Sequence, residues 1–358
     1  MRDPLDFIKD GGTRGATGEW LSGSGPESDI VMSTRIRLAR NVSEYPFLTR
    51  IEEKQKSELE RFLRDKLQKT KLASDISYKN LNDTTPIDRI CLVERHLISR
   101  DHAQGEGGRG VALAADETLS VMVNEEDHLR VQVLRSGFQP DAAWQQISRI
   151  DRALEGELNF SFSPQFGYLT ACPTNVGTGM RVSVMLHLPA LVMTKQIEKV
   201  FHAVTKINLA VRGFYGEGTQ ASGDFYQISN QITLGKSEED VLKIMSDHVP
   251  QIVAYERNTR EKLISENRAG LEDRVWRAFA LLERARLITS EETMDYLSAV
   301  RMGVNLGLID KIGIQAVNEL FILTQPAHLQ KLQGRELETP ERDELRAAFI
   351  RQKLAGRA

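Results

Sequence analysis

Four short segments hold residue types that could do chemistry together. VMSTRIRLARN at 31–41 carries Arg35, Arg37 and Arg40 within six residues. In an extended chain Arg35 and Arg37 share one face, with Ile36 and Leu38 on the other. Two guanidiniums on one face suit a polyanion such as a triphosphate, although a solvated strand edge has the same pattern. VNEEDHLR at 123–130 sets Glu125, Glu126 and Asp127 in succession, followed by His128 and Arg130, between two apolar runs. A turn usually employs one acid, so three suggest neutralisation of a cation, the alternative being a solvated acidic turn. His128 reads as structural. FGYLTACPTNVGTGMRVSV at 166–184 places Cys172 before Pro173 in a polar, turn-forming stretch, whereas Cys91 sits between Ile90 and Leu92 like a core thiol. A thiol near loop amides and an arginine such as Arg181 can be held as thiolate, with an inert thiol as the alternative. VRGFYGEGTQASGDFYQISN at 211–230 is glycine-rich and holds Arg212 and the isolated acid Glu217, either a carboxylate on a closing loop or a surface acid.

The elements that must position these residues divide near residue 236. Twenty of the 26 glycines lie at or before Gly235. In that front part, β-branched runs at 90–99, 111–116, 119–124, 129–135 and 180–188 read as strands. Helical periodicity is expected over Glu52–Lys69, Asp141–Glu157 and Pro189–Leu209. GEGGRG at 105–110 reads as a loop joining two strands. LGKSEED at 234–240 ends like a phosphate loop, but Asn230 occupies the position of its first glycine, so it reads as a helix start with Ser237 and Asp240 at capping-box spacing. Beyond it, helices are expected over 254–269, 271–287, 290–304, 312–325 and 340–354. The resulting division is a flexible arm over 1–30, an α/β unit over 31–253 that holds the four segments, and a helical domain over 254–358.

The 358 residues, 41% apolar and 27% charged, can bury a sizeable core, which excludes a disordered or fibrous chain. A net charge of −3 gives no whole-molecule reason to expect nucleic acid or an anionic membrane. No apolar run approaches the ~20 residues that span a bilayer and the first residues lack a secretory core, so a cytoplasmic protein is expected. Two cysteines exclude a disulfide framework.

In order along the chain, STRIR-x-x-RN at 33–41, NEEDHLR at 124–130, CPTNVGTG-x-R at 172–181 and VRG-x-x-GE-x-T at 211–219, followed by ISN at 228–230, resemble the phosphagen (guanidino) kinase family. The resemblance implies an α/β fold of the α+β type, a large antiparallel sheet flanked by helices. It also implies transfer of the γ-phosphoryl group of Mg-ATP to a guanidinium nitrogen. Arg35, Arg37, Arg130, Arg181 and Arg212 would hold the phosphates, with Ser33 in the first motif and His96 at the adenosine. Glu126 and Glu217 would clamp the guanidinium and take its proton, with Glu125 in support. Cys172 would tune binding beside them without forming a covalent intermediate, and no residue is assigned to a protein-held metal.

Animal arginine and creatine kinases carry a helical domain before the first motif, where this chain has 32 residues, and they lack its helical region after about 254. With both differences the chain is similar to the bacterial branch that phosphorylates arginine side chains in proteins and marks them for the Clp protease. RDELRA at 342–347 resembles that branch's phosphoarginine-binding motif, implying roles for Arg342, Asp343 and Arg346. Protein substrates, an activator protein and a homodimer are further expectations. A kinase of free arginine or another small guanidino compound is the alternative enzyme. A phosphoarginine-binding adaptor is the non-catalytic one, opposed by the presence of both glutamates and all five arginines.

Overall fold

The computed structural model describes residues 18–70, 72–213 and 222–356. Its centre is an eight-stranded antiparallel sheet in the order β2-β3-β4-β5-β1-β8-β10-β9. The strands are β1 (Val31–Arg40), β2 (Ile76–Asn80), β3 (Gly110–Ala114), β4 (Leu119–Val123), β5 (Leu129–Ser136), β8 (Met180–His187), β9 (Leu209–Arg212) and β10 (Phe225–Asn230). A separate hairpin pairs β6 (Phe162–Ser163) with β7 (Gly167–Tyr168). The helices are α1 (Glu53–Lys69), α2 (Pro86–Glu94), α3 (Arg100–Gln104), α4 (Pro140–Glu155), α5 (Pro189–Met193), α6 (Ile197–Lys206), α7 (Glu238–Arg284), α8 (Ser290–Asn305), α9 (Ile314–Leu323), α10 (Pro326–Gln333) and α11 (Thr339–Leu354). Among the described residues no helix is long and apolar enough to cross a membrane.

The period of two in the strands decides what each face of the sheet does. Ile36 and Leu38 of β1, Val131 and Val133 of β5, and Val182 and Val184 of β8 enter one core, closed by residues of α1, α4, α6 and the front of α7. The intervening side chains, Arg35, Arg37, Arg130 and Arg181, are left to the opposite face. A register shift between Val31 and Ser33 switches the alternation, so Met32 joins the second core with Leu134, Met185 and the C-terminal helices.

Several expectations are corrected. Residues 18–30 are packed rather than a flexible arm: Trp20, Leu21 and Ile30 are buried, and Trp20 Nε1 donates to Glu117. Arg301, fully buried, donates to the carbonyls of Ser28 and Asp29, tying this segment to α8. The run at 90–99 is no strand; α2 occupies its first half, started by Pro86 and by Thr85, whose hydroxyl accepts from Asp88 N. A short apolar run without alternation fits either element, and here the helix-start residues decide. GEGGRG accordingly joins α3 to β3, not two strands. The helix expected over 189–209 divides into α5 and α6 around Lys195, whose φ of 55° is left-handed, and gives way to β9.

After Ser237, whose capping box forms as expected, α7 runs through both expected helices at 254–269 and 271–287, broken only by non-helical backbone at Asn267. The span expected at 312–325 holds α9 and gives way to a further helix, α10, started by Pro326. The front of α7 also belongs to the sheet. Buried Glu256 accepts from Ala190 N and Leu191 N, and Arg260 pairs with Glu256 and donates to the His187 carbonyl. Along α7, Val253 and Tyr255 pack against the first core and Leu263 and Ile264 against the second, so the packing changes between these pairs, ahead of the kink at Asn267.

A second clasp joins the sheet unit to the C-terminal helices. The buried Glu94 carboxylate, at the end of α2, accepts from Ala327 N (2.8 Å), His328 N (3.1 Å) and His328 Nδ1 (2.6 Å), capping α10 from outside its own chain segment. Glu94→Ala leaves these donors without a carboxylate in a dry site. A lost cap and stranded buried donors together are expected to remove about 2–4 kcal/mol of stability, readable by urea unfolding.

Candidate active site

The cleft opens on the arginine face of the sheet and has a volume of about 990 Å³. Strand register builds its floor. Arg37 lies opposite Gln132 on β5 and Arg181 on β8, Arg35 opposite Ser183, and Arg212 of β9 opposite Gln227 of β10. All five expected arginines line the cleft. Like charges directly opposite one another destabilise a sheet, and Arg37 with Arg181 is such a pair. Burial first, then the neighbouring arginines, pull Arg35 down to about 10 and lower Arg37 strongly. A floor that repels itself is complementary to a multiply charged anion.

The arginines differ in how they are held. Arg35 is fixed by Nη2 to Gln227 Oε1 (2.5 Å) and Nε to Ser183 Oγ (3.3 Å). Arg130 bridges two acids, with Nη1 to Glu125 (2.7 Å) and Nη2 to Glu126 (2.8 Å). The Arg37 guanidinium opens on the cleft with no hydrogen-bond partner among the described residues. Arg40, the third arginine of the first segment, points elsewhere: it forms a two-point pair with Asp151 and lies over the Tyr168 ring at 3.5 Å.

The acidic segment forms the β4–β5 turn, and its three carboxylates divide the work. Asp127 is fully buried, accepts from Asn41 Nδ2 and Ala171 N (both 2.7 Å), and so ties the turn to the first motif and to the chain entering Cys172. Glu125 is held by Arg130, Ser99 Oγ (2.6 Å) and the Glu126 amide. Despite its burial these partners keep it below the usual carboxylate range. Glu126 is half exposed in the cleft. Partial burial, opposed by Arg130 and reinforced by Glu125 and Asp127, raises its carboxyl above the ordinary range. His128 is structural as expected, with its ring joined to Val42 N and the Pro46 carbonyl.

Cys172 precedes a single 3-10 turn, Pro173–Asn175. Its thiol contacts Thr174 Oγ1 (3.0 Å) and supports the Glu126 carboxylate, towards which Asn175 Nδ2 also reaches (3.5 Å). A candidate base, a thiol and an arginine floor thus share one cleft.

His96 lies at the inner end of the cleft, in left-handed backbone (φ 58°), its ring edge-on to Trp20 at 5.5 Å. Burial and Arg35 push it down to about 3, so it is a neutral imidazole. Ser33 lines a small recess beside the cleft that shares Arg35, His96 and Gln227 with it. Glu217 lies outside the described residues. Arg342, Asp343 and Arg346 are not in the cleft; they lie on α11. Arg346 is buried and donates to the Thr324 and Ile288 carbonyls and to Asp343, while Arg342 donates to the Leu337 carbonyl and Thr339.

Sequence reasoning did not single out Gln227 or Ser99, which orient Arg35 and Glu125, or Lys56 and Arg109, which add charge to the rim. Gln227 directly precedes the ISN segment, which was the available signal. Ser99 was hidden inside the run misread as a strand.

Comparison with known proteins shows the family. The family model for the ATP:guanido phosphotransferase C-terminal catalytic domain matches residues 58–259, and that for the protein-arginine kinase McsB C-terminal domain matches 268–358. The unmatched gap contains the Asn267 kink. A protein-arginine kinase of Symbiobacterium thermophilum is 48% identical over 343 residues, covering 95% of this chain and 97% of the relative. That of Bacillus subtilis is 44% identical over 350 residues, covering 97% and 95%. Among solved structures, the duplicated taurocyamine kinase of Schistosoma mansoni, with bound transition-state analogue components, is 30% identical with a TM-score of 0.61. The match covers 66% of this chain and 34% of that one. A lombricine kinase crystal structure is 27% identical with a TM-score of 0.57, covering 66% and 68%. Catalytic segment and C-terminal segment together make this chain a member of the ATP:guanido phosphotransferase family, in its protein-arginine kinase branch.

Proposed function

We propose that this chain is an ATP-dependent kinase of arginine side chains in proteins. The observation that carries the reading is the pairing, within one cleft, of a self-repelling arginine floor with a half-exposed carboxylate of raised pKa. A guanidinium, with pKa above ~12, is a poor nucleophile until a proton leaves. Glu126 binds the cation and accepts that proton as the nitrogen attacks the γ-phosphorus and the bond to the ADP oxygen breaks. Glu217 is proposed as the second clamp. Arg35, Arg37, Arg130, Arg181 and Arg212 hold the phosphates in line and stabilise the charge that spreads over them, which is most of what phosphoryl transfer requires. His96, neutral and edge-on to Trp20, together with Ser33, is proposed to contact the nucleoside end. ATP enters as its Mg²⁺ complex, and that cation supplies further charge neutralisation. Cys172 acts by polarity beside Glu126.

The same reading extends to the chain's setting: a cytoplasmic enzyme, a homodimer, an activator protein, and Clp-dependent degradation of the marked substrates. On α11, Arg342, Asp343 and Arg346 are proposed to bind phosphoarginine. Arg342 and Asp343 lie near the surface with Arg346 buried and already oriented by Asp343. The test is incubation with ATP and an unfolded arginine-rich protein. An acid-labile phosphoramidate on arginine is expected; an acid-stable label on serine would overturn the reading. Rapid ADP formation with free arginine alone would instead favour the small-guanidino kinase.

A further inference from the structure

Cys91, which by its sequence neighbours reads as a core thiol, does not stand alone. Along α2 the residues Asp88, Cys91 and Glu94 follow one another at three-residue spacing and share one face. That face meets α10, where His328 and Lys331 are likewise three residues apart. Asp88 pairs with Lys331 at one end of the contact and Glu94 with His328 at the other. Cys91 lies between Asp88 and Glu94 on that face. Its Sγ, a Glu94 carboxylate oxygen and a His328 ring nitrogen all lie within 4.8 Å of one another, and all three residues are buried. Among the described residues it is the one such group of three potential metal ligands.

We propose that Cys91, Glu94 and His328 form a zinc site that bolts the C-terminal helices to the sheet unit. The donor set decides the class of ion. A thiolate, an imidazole and a carboxylate suit Zn²⁺, whereas Mg²⁺ and Ca²⁺ take oxygen ligands, so the Mg²⁺ that accompanies ATP is no competitor. A tetrahedral Zn²⁺ with bonds of ~2.0–2.3 Å holds its ligand atoms about 3.3–3.8 Å apart, so side-chain shifts of roughly an ångström gather these three. The carboxylate is already aimed. Glu94 accepts from Ala327 N (2.8 Å) and His328 N (3.1 Å), and donors of this kind fix the direction of a ligand. On binding, the ion takes over the contact between His328 Nδ1 and Glu94 (2.6 Å), and the Cys91 thiol releases its proton. A water that enters with the ion fills the fourth position. Because α2 ends at Glu94, two residues before His96, the ion also holds the helix that leads into the inner end of the cleft.

The full chain, freed of metal with a chelator and kept without nucleotide, is titrated with Co²⁺ as a spectroscopic stand-in for Zn²⁺. One equivalent should bind with a sulfur-to-cobalt charge-transfer band, and Zn²⁺ should displace it. The band should persist in Cys172→Ser, which alters the other cysteine, and vanish in Cys91→Val, a swap of similar size in a buried position. His328→Gln keeps the thiol and should weaken binding at least about tenfold. Zn²⁺ at about a hundredfold excess over its Kd should raise the Tm by ~5 °C in the wild type and in Cys172→Ser, and leave Cys91→Val unmoved. The same unfolding curve shows that Cys91→Val is folded. Absence of a sulfur band with the wild-type chain would overturn the site. So would a band that survives Cys91→Val or is lost in Cys172→Ser, which places the ion in the cleft.

Discussion

Glu126→Gln is expected to lower kcat for arginine phosphorylation about 10²- to 10⁴-fold, the range for loss of a positioned general base. The amide keeps the shape and still offers an oxygen to Arg130 Nη2, so the site geometry survives and the ATP KM changes little. What is lost is the ability to receive a proton. The pH profile gives an independent check. Only the carboxylate form is competent, and the raised pKa means that this form is lost at a higher pH than for an ordinary glutamate. Wild-type kcat/KM should therefore rise with pH through that raised value, and the rise should vanish in Glu126→Gln. Glu125→Gln should behave differently. Held by Arg130, Ser99 and a backbone amide, Glu125 positions Arg130, so its loss should affect the ATP KM as well as kcat. A fall of less than tenfold in Glu126→Gln would move the base elsewhere, Glu217 being the next candidate.

The legible part of the site was the part governed by period two. Alternation in STRIR places Arg35 and Arg37 on one face without knowledge of any contact, and the sheet does so, whereas Arg130 joins that face through the pairing of β5 with β1. The acidic turn was legible for the same reason, since apolar strands bracket it. Residues that act by reaching across the chain were not legible. Asp127 looks like its neighbours Glu125 and Glu126, yet it is the one that binds Asn41 and Ala171. Only the tertiary partners separate an anchor from a base. Arg40 illustrates the opposite case, because it shares a six-residue segment with Arg35 and Arg37 yet points away to Asp151. The helix boundaries failed where two signals compete. Asn267 breaks α7 without a proline or glycine at the break, whereas Pro250 lies inside it without ending it.

Arg37→Met should move activity and stability in opposite directions. Methionine retains an apolar stem over the sheet but removes a guanidinium that faces Arg181 directly and has no hydrogen-bond partner among the described residues. Removing one of two like charges on adjacent strands is expected to add about 0.5–1 kcal/mol to the unfolding free energy without nucleotide. The same change removes a cation aimed at transferring phosphates, where a single arginine contributes roughly 10³- to 10⁵-fold in phosphoryl-transfer enzymes. Arg35→Met is the contrast, because Arg35 is anchored to Gln227 and Ser183 and its loss strands those partners. It should lose activity and some stability together. Thermal unfolding with and without ATP reads both effects. Wild-type protein should gain most from ATP, since the nucleotide relieves the repulsion, and Arg37→Met should begin more stable yet gain less. If Arg37→Met were destabilised without nucleotide, Arg37 would be a structural cation satisfied by the fold, and the anion site would have to be centred on the remaining arginines.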